Sequence, residues 1–223
     1  MRLFAISDLH LPGGMDKTMD RFGAGWVGHF DKICADWCAR VLPEDLVLIP
    51  GDLSWAMTFD DACADLDAIC ALPGQKVLLK GNHDYWWNSV SRLRDHLAQG
   101  CWALQNDAVF FDDLAVCGSR GWEYVAQADE KVMRREIMRM EMSLNAAMVR
   151  STKRVIAMMH FPPFDERGRL TPFTELFERF GVTDVVYGHL HGQSIRAART
   201  GLIGSVRYHL VSCDALDFKL LAF

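Results

Sequence analysis

Five short stretches carry side chains able to bind a metal, a proton or an anion, and each follows an apolar run. Asp8 and His10 follow Leu3-Phe4-Ala5-Ile6, Asp52 follows Leu46-Val47-Leu48-Ile49, and Asn82, His83 and Asp84 follow Val77-Leu78-Leu79. His160 follows Val155-Ile156-Ala157-Met158-Met159, while His189 and His191 follow the run from Val182 to Tyr187. Carboxylates, imidazoles and one neutral amide suit divalent ions such as Mn²⁺, Fe²⁺ or Zn²⁺, and the absence of sulfur argues against a structural zinc site. Too many groups are present for one tetrahedral ion, and about enough for two ions sharing a carboxylate. Two ions roughly 3.5–4 Å apart can bind a phosphoryl group and hold a hydroxide between them as nucleophile. A lone histidine at a strand end is ordinarily structural, and Gly81-Asn82-His83-Asp84 alone would pass as a turn. Repetition at five junctions points instead to a dinuclear metal hydrolase.

The elements that must position these groups alternate. Residues 2 to 7 read as a buried strand, and Asp8 and His10, two apart on an extended backbone, point the same way. An irregular stretch runs from Leu11 to Gly28. Helical spacing over 29–41 and 59–71, with strands at 46–49 and 76–79 between and after, gives a β-α-β-α-β order. That order implies parallel strands joined by crossover helices, which brings their ends to one edge. A helix over 88–98, short strands at about 102–104, 108–111 and 114–117, and a hairpin turn at Asp112-Asp113 follow. Met133, Ile137, Met140, Leu144 and Met148 form a stripe along a helix over 129–149, read as core packing. After the strand at 155–159 come a helix over 172–180, a strand over 182–187, and a tail from about 193 to 221 that reads as antiparallel strands.

At 223 residues, half of them hydrophobic, the chain reads as one domain spanning 1–223 with a sizeable core. Twenty-four basic against 29 acidic residues give a net charge of −5, with no basic run, so no polymeric nucleic acid partner is expected. Bound cations would reverse the sign locally and leave small phosphorylated substrates open. Seven cysteines without a CxxC pair read as reduced thiols in a cytoplasmic protein. No signal peptide is legible, and no apolar run approaches the roughly 18 residues of a membrane span.

The order Asp-x-His, Gly-Asp, Gly-Asn-His-Asp, His, Gly-His-x-His, over residues 8 to 191, resembles the calcineurin-like metallophosphoesterase superfamily. The resemblance implies a four-layer α/β/β/α sandwich, two mixed β-sheets flanked by helices. It also implies that Asp8, His10 and His191 hold one ion, that Asn82, His160 and His189 hold the other, and that Asp52 bridges them. The two ions would be Mn²⁺, Fe²⁺/Fe³⁺ or Zn²⁺. His83 would then protonate the leaving oxygen, with Asp84 orienting it. Gly51-Asp52-Leu53-Ser54-Trp55 and Asp84 depart from the protein serine/threonine phosphatase pattern, and His83 departs from the arginine usual in lipid A precursor hydrolases. With Gly118-Ser119-Arg120-Gly121-Trp122, the chain looks most like an uncharacterised bacterial branch of predicted phosphohydrolases.

The expected activity is hydrolysis of a small phosphomonoester or phosphodiester. The competing reading, a catalytically inactive scaffold or binding protein on the same fold, would be signalled by lost ligands, and none is lost. Arg120, Arg167 with Arg169, and His29 are candidate substrate contacts, since a guanidinium fork matches phosphate oxygens. Trp86 and Trp87 read as core caps or as stacking partners for a nucleobase, and the 11–28 loop as a cover for the site.

Overall fold

A computed structural model describes residues 1–14, 19–124 and 129–223. Strand β1 (Leu3–Ala5) opens the chain and is followed, after short helical turns at Met19–Phe22 and Ala24–Trp26, by α1 (His29–Arg40), β2 (Leu46–Ile49), α2 (Phe59–Ala71) and β3 (Gln75–Leu79). Then come α3 (Val90–His96), β4 (Cys101–Leu104), β5 (Ala108–Phe111), β6 (Leu114–Gly118), α4 (Glu130–Ala147) and β7 (Arg154–Met159). The last elements are α5 (Pro172–Arg179), β8 (Asp184–Tyr187), β9 (Gly201–Ile203), β10 (Val206–Leu210) and β11 (Leu221–Ala222). Helix starts follow side-chain chemistry. Thr58, Ser89, Asp129 and Thr171 each accept a backbone N–H of the following turn, and Pro172 opens α5 where its missing N–H costs nothing.

The strands form two mixed sheets, ordered β11-β1-β2-β3-β4 and β5-β6-β7-β8-β10-β9. β1 through β4 are parallel with β11 antiparallel at one edge, and β6, β7, β8 and β10 are parallel between antiparallel β5 and β9. Successive side chains on each strand fall into different cores. Leu3, Leu48, Leu79, Val116, Met158 and Val186 meet between the sheets. Phe4, Val47 and Leu78 turn the other way, onto Ile33, Trp37, Leu66 and Leu93 of α1–α3. Val155, Ala157 and Tyr187 face Met140, Leu144 and Phe173 of α4 and α5. Both faces are covered, which is why the strands read as unbroken apolar runs. Helices, sheet, sheet and helices make the expected four-layer sandwich. Among the described residues no helix is long and apolar enough to cross a membrane.

Three expectations change. β10 pairs parallel with β8 and antiparallel only with β9, and Phe218 lies in a left-handed turn rather than in a strand. The alternation of Val206, Tyr208 and Leu210 reports one buried face and says nothing of a partner's direction. Met148 is exposed just beyond the end of α4, although Met133, Met140 and Leu144 are buried as read. The 11–28 stretch contains two helical turns, and its residues 15–18 lie outside the described part.

The sheets are joined where β1 and β10 run out. Ser7 bridges Ser212 in parallel, its N–H donating to the Val211 carbonyl at 2.7 Å. That seam brings the C-terminal ends of β1, β2, β3, β7, β8 and β10 to one rim.

Candidate metal centre

All seven of the expected metal-binding side chains converge on that rim. The ligand atoms of Asp8, His10 and His191 lie within 4.8 Å of one another, as do those of Asp8, Asp52 and His160. Asp52 Oδ2 stands between two imidazoles, 3.4 Å from His160 Nε2 and 3.8 Å from His10 Nε2. Asn82 Oδ1 lies 2.6 Å from His160 Nε2 and 2.9 Å from His189 Nδ1. His191 Nε2 is 3.2 Å from Asp8 Oδ1. The result is a continuous row from His191 through Asp8, Asp52 and Asn82 to His189.

The backbone reaches this arrangement by strain rather than extension. Asp8 (φ 60), His10 (φ 46), Asp52 (φ 54) and His189 (φ 73) all occupy the left-handed region, so Asp8 and His10 converge from a tight turn and not from the expected extended pair. Each such residue costs on the order of 1 kcal/mol, and four together at one site mark a place where the surroundings overrule local preference. Glycines make the approach possible. A Cβ on Gly81 would run into the Asp52 carboxylate, and one on Gly188 into the side chains of Ser7 and Asp8.

Acceptors outside the cluster fix the imidazoles. His160 Nδ1 faces the Pro50 carbonyl at 3.0 Å, His191 Nδ1 faces Asp214 Oδ1 at 2.7 Å, and His189 Nε2 faces Glu123 Oε1 at 2.9 Å. With those outer nitrogens donating, His160 Nε2, His191 Nε2 and His189 Nδ1 are the nitrogens turned inward, and a metal would take the place of any proton they carry, the orientation that metal-binding histidines take. Asp214 also accepts the Gly192 N–H at 2.9 Å, so the loop carrying His191 is doubly tied. Sequence reasoning passes over both Asp214 and Glu123. Asp214 sits just past β10, and reading β10 as parallel to β8 would have placed it on the rim.

The charges are strongly coupled. Burial alone would raise the Asp8 and Asp52 carboxyls, but the imidazoles of His191, His160 and His10 around them hold both below the usual range. Burial likewise works against protonated imidazoles, yet Asp52 and Asp8 lift His160 to about 9, and Asp214 with Asp8 lifts His191 to about 10. His10, where burial prevails, falls to about 4. Its ring is 4 % exposed, and its Nδ1 has no hydrogen-bond partner among the described residues. Buried carboxylates drawing protons onto their neighbours, beside an imidazole with an unused nitrogen, form an oxygen-and-nitrogen donor set that fits divalent cations.

His83 stands beside the row. Its N–H donates to Asp52 Oδ1 at 2.8 Å, and its ring packs 4.4 Å from Trp55 and 5.6 Å from His10. Asp84, the residue expected to orient His83, is engaged by the surrounding backbone. It is fully buried, and its two oxygens accept the backbone N–H groups of Asp52, Leu53, Ser54 and Gly81 and the Trp86 indole N–H, at 2.7–3.2 Å. Burial and the Asp52 charge nevertheless push its carboxyl up to about 7. Asp84 therefore stitches the Asp52 loop to the Asn82 loop and positions His83 through the backbone.

The other candidates separate. His29 Nε2 is 2.7 Å from the Leu9 carbonyl and its ring stands edge-on to Trp26, so it braces the turn beneath the site. Trp26 itself lies 5.6 Å from the His191 ring, which makes the described end of the 11–28 stretch one wall of the centre. Arg167 and Arg169 are exposed in a loop gathered around Asp165 and are not brought to the row. Trp86 and Trp87 are core residues. Arg120 is half-buried, its guanidinium 5.0 Å from the Trp122 ring, while its carbonyl accepts the His160 N–H at 3.1 Å. A recess of about 750 Å³ between Phe4, Asp112, Lys153 and Phe223 lies at the opposite ends of the strands, away from this chemistry.

Solved structures share the architecture. A protein from Thermus thermophilus, TT1561, matches with a TM-score of 0.63 at 15 % identity, covering 100 % of this chain and 98 % of that one. Phosphopantetheinyl hydrolase (PptH) from Mycobacterium tuberculosis matches with a TM-score of 0.57 at 15 % identity over 95 % of this chain and 88 % of that one. AQ665 of Aquifex aeolicus, a protein of unknown function, matches with a TM-score of 0.52 at 16 % identity over 99 % and 95 %. At these identities the likeness is one of fold. No curated protein sequence matches significantly. The profile of the calcineurin-like phosphoesterases matches residues 1–193, the span that holds every clustered ligand, and the chain belongs to that family.

Proposed function

We propose that the chain is a two-metal phosphoesterase acting on a small phosphomonoester or phosphodiester. The supporting observation is the pair of overlapping ligand groups, Asp8-His10-His191 and Asp8-Asp52-His160, extended by Asn82 and His189 around a central Asp52. Asp8, His10 and His191 would hold one ion, Asn82, His160 and His189 the other, with Asp52 shared. Mn²⁺, Fe²⁺/Fe³⁺ and Zn²⁺ all suit the donor set. When bound, the ions supply Lewis-acid charge for the phosphoryl oxygens and lower the pKa of water enough to make it a nucleophile.

The chain's own residues supply position and a proton. Asp84 holds the Asp52 and Asn82 loops in register, and Asp214, Glu123 and the Pro50 carbonyl set the tautomers of three ligands. Trp26 and Trp55 wall the row with apolar surface. His83, beside Asp52 but outside the ligand groups, would protonate the leaving oxygen as the P–O bond breaks. The seven free cysteines fit a reducing cytoplasm.

The test is hydrolysis of p-nitrophenyl phosphate and its bis-ester by the Mn²⁺-loaded chain. Turnover of at least one is expected, with His83→Ala lowering kcat by about 10²–10⁴ while metal content holds. A fully metal-loaded wild-type chain that leaves both esters intact would count against the reading. Loss of metal in His83→Ala would move that residue into the ligand shell.

A further inference from the structure

Beside the Asn82–His160 end of the row lies a cavity of about 250 Å³, walled by Lys80, Gln105, Ser119, Arg120, Glu136 and Arg139 among others. Lys80 comes two residues before Asn82, and the Arg120 carbonyl receives the His160 N–H, so this wall is continuous with the metal centre. Three basic side chains here face one carboxylate. Glu136 is already engaged by Arg139 at 2.7 Å and Arg135 at 3.2 Å. Lys80 Nζ donates to the Trp87 carbonyl at 2.6 Å, and Arg120 rests on Trp122. Neither has a carboxylate within ion-pair distance among the described residues. Partly desolvated cations held together without enough anions are costly. The same cavity is lined by Ser119, 1 % exposed, whose Oγ has no hydrogen-bond partner among the described residues.

An excess of cations and an unsatisfied buried hydroxyl in one polar recess is the complement of an oxyanion. We infer that this cavity is a second anion subsite, taking the remote phosphate or carboxylate of a substrate that carries two anionic groups. Pockets for whole ligands run to about 300–1,000 Å³, so a recess this small suits one group and leaves the ester to the metal centre. Naming the substrate class rests on the phosphoesterase reading; binding of the anion does not.

Two measurements keep those apart. Inorganic phosphate is titrated calorimetrically into the chelator-treated full chain. Binding is expected, with Kd rising about tenfold in Arg139→Gln and about threefold in Ser119→Ala, the losses of a charge-assisted and a neutral hydrogen bond. No binding, or binding lost in His160→Ala but unchanged in both cavity variants, overturns the subsite. Next, alkanediol bisphosphates of graded length are compared with the matching monophosphates on the Mn²⁺-loaded chain. A bisphosphate preference in kcat/KM should appear and shrink about tenfold in Arg139→Gln, while turnover of p-nitrophenyl phosphate is retained. Variant-sensitive phosphate binding with no ester hydrolysed would keep the subsite and reject the phosphoesterase reading. Hydrolysis with neither phosphate binding nor a bisphosphate preference would do the reverse.

Discussion

Replacing Asp84 by Asn changes one atom and separates a stitching role from a catalytic one. Five donors converge on its two oxygens: Leu53 N, Ser54 N and Trp86 Nε1 on Oδ1, Asp52 N and Gly81 N on Oδ2. An asparagine amide keeps most bonds by placing its oxygen at the Oδ1 position, which satisfies three donors and points its NH₂ at the other two. Two buried N–H groups then lose their acceptor, at about 1–3 kcal/mol each, for a total of about 2–6 kcal/mol. Against a typical stability of about 5–15 kcal/mol that is large, and it corresponds to a fall in Tm of roughly 5–20 °C for a chain of this size. The abandoned donors belong to Asp52 itself and to Gly81, next to Asn82. Metal affinity should therefore fall together with Tm, because the two loops are no longer held in register. Differential scanning calorimetry on the metal-free and Mn²⁺-loaded protein reads both effects. An unchanged Tm, with only kcat reduced, would refute this reasoning and restore Asp84 to a direct partnership with His83.

Asp214→Ala removes the acceptor for His191 Nδ1 and should weaken Mn²⁺ binding by about 10–100-fold in chelator competition while the fold persists, whereas unaltered affinity would leave Asp214 without a role at the centre. Asp184 lies far from the centre, beneath Arg154 at 2.7 Å and His209 at 3.0 Å. Burial opposes its ionisation, but the His209 and Arg154 contacts prevail and lower its carboxyl to about 2. A carboxyl depressed in the folded state stabilises above its unfolded value near 3.9, and that stabilisation fades as pH falls towards 2. Allowing for partial solvent screening, the effect is about 1–2 kcal/mol. Urea titrations of wild type and Asp184→Asn should differ by that amount at neutral pH and converge near pH 2, and a constant difference would contradict the linkage.

What the sequence disclosed was the part written in burial. β1, β2, β3, β7 and β8 are apolar on both faces, so they stood out as runs, and the polar groups ending those runs are the ones the fold gathers. Features set by long-range pairing were not legible. β10 runs parallel to β8, residues 207–210 pairing with 184–187, and this put Asp214 on the rim unannounced. Glu123 reaches His189 from beyond the end of β6, in a stretch without periodicity. The resemblance gives Asp84 the task of orienting its neighbour, but says nothing of its donors, which come mostly from residues 52–54. His29 and Arg167 were candidates by residue type and by their place in the chain, after the 11–28 loop and in the loop after His160. The fold assigns one to the Leu9 carbonyl and the other to an exposed loop.

The central claim is that this row of side chains holds two ions with Asp52 between them. Metal content measured by mass spectrometry on the Mn²⁺-loaded, extensively dialysed chain tests it most directly. Two ions per chain are expected in the wild type, with a fall to one or none in Asp52→Asn. A well-folded wild type that retains at most one ion, or an Asp52→Asn variant that retains two, would contradict it.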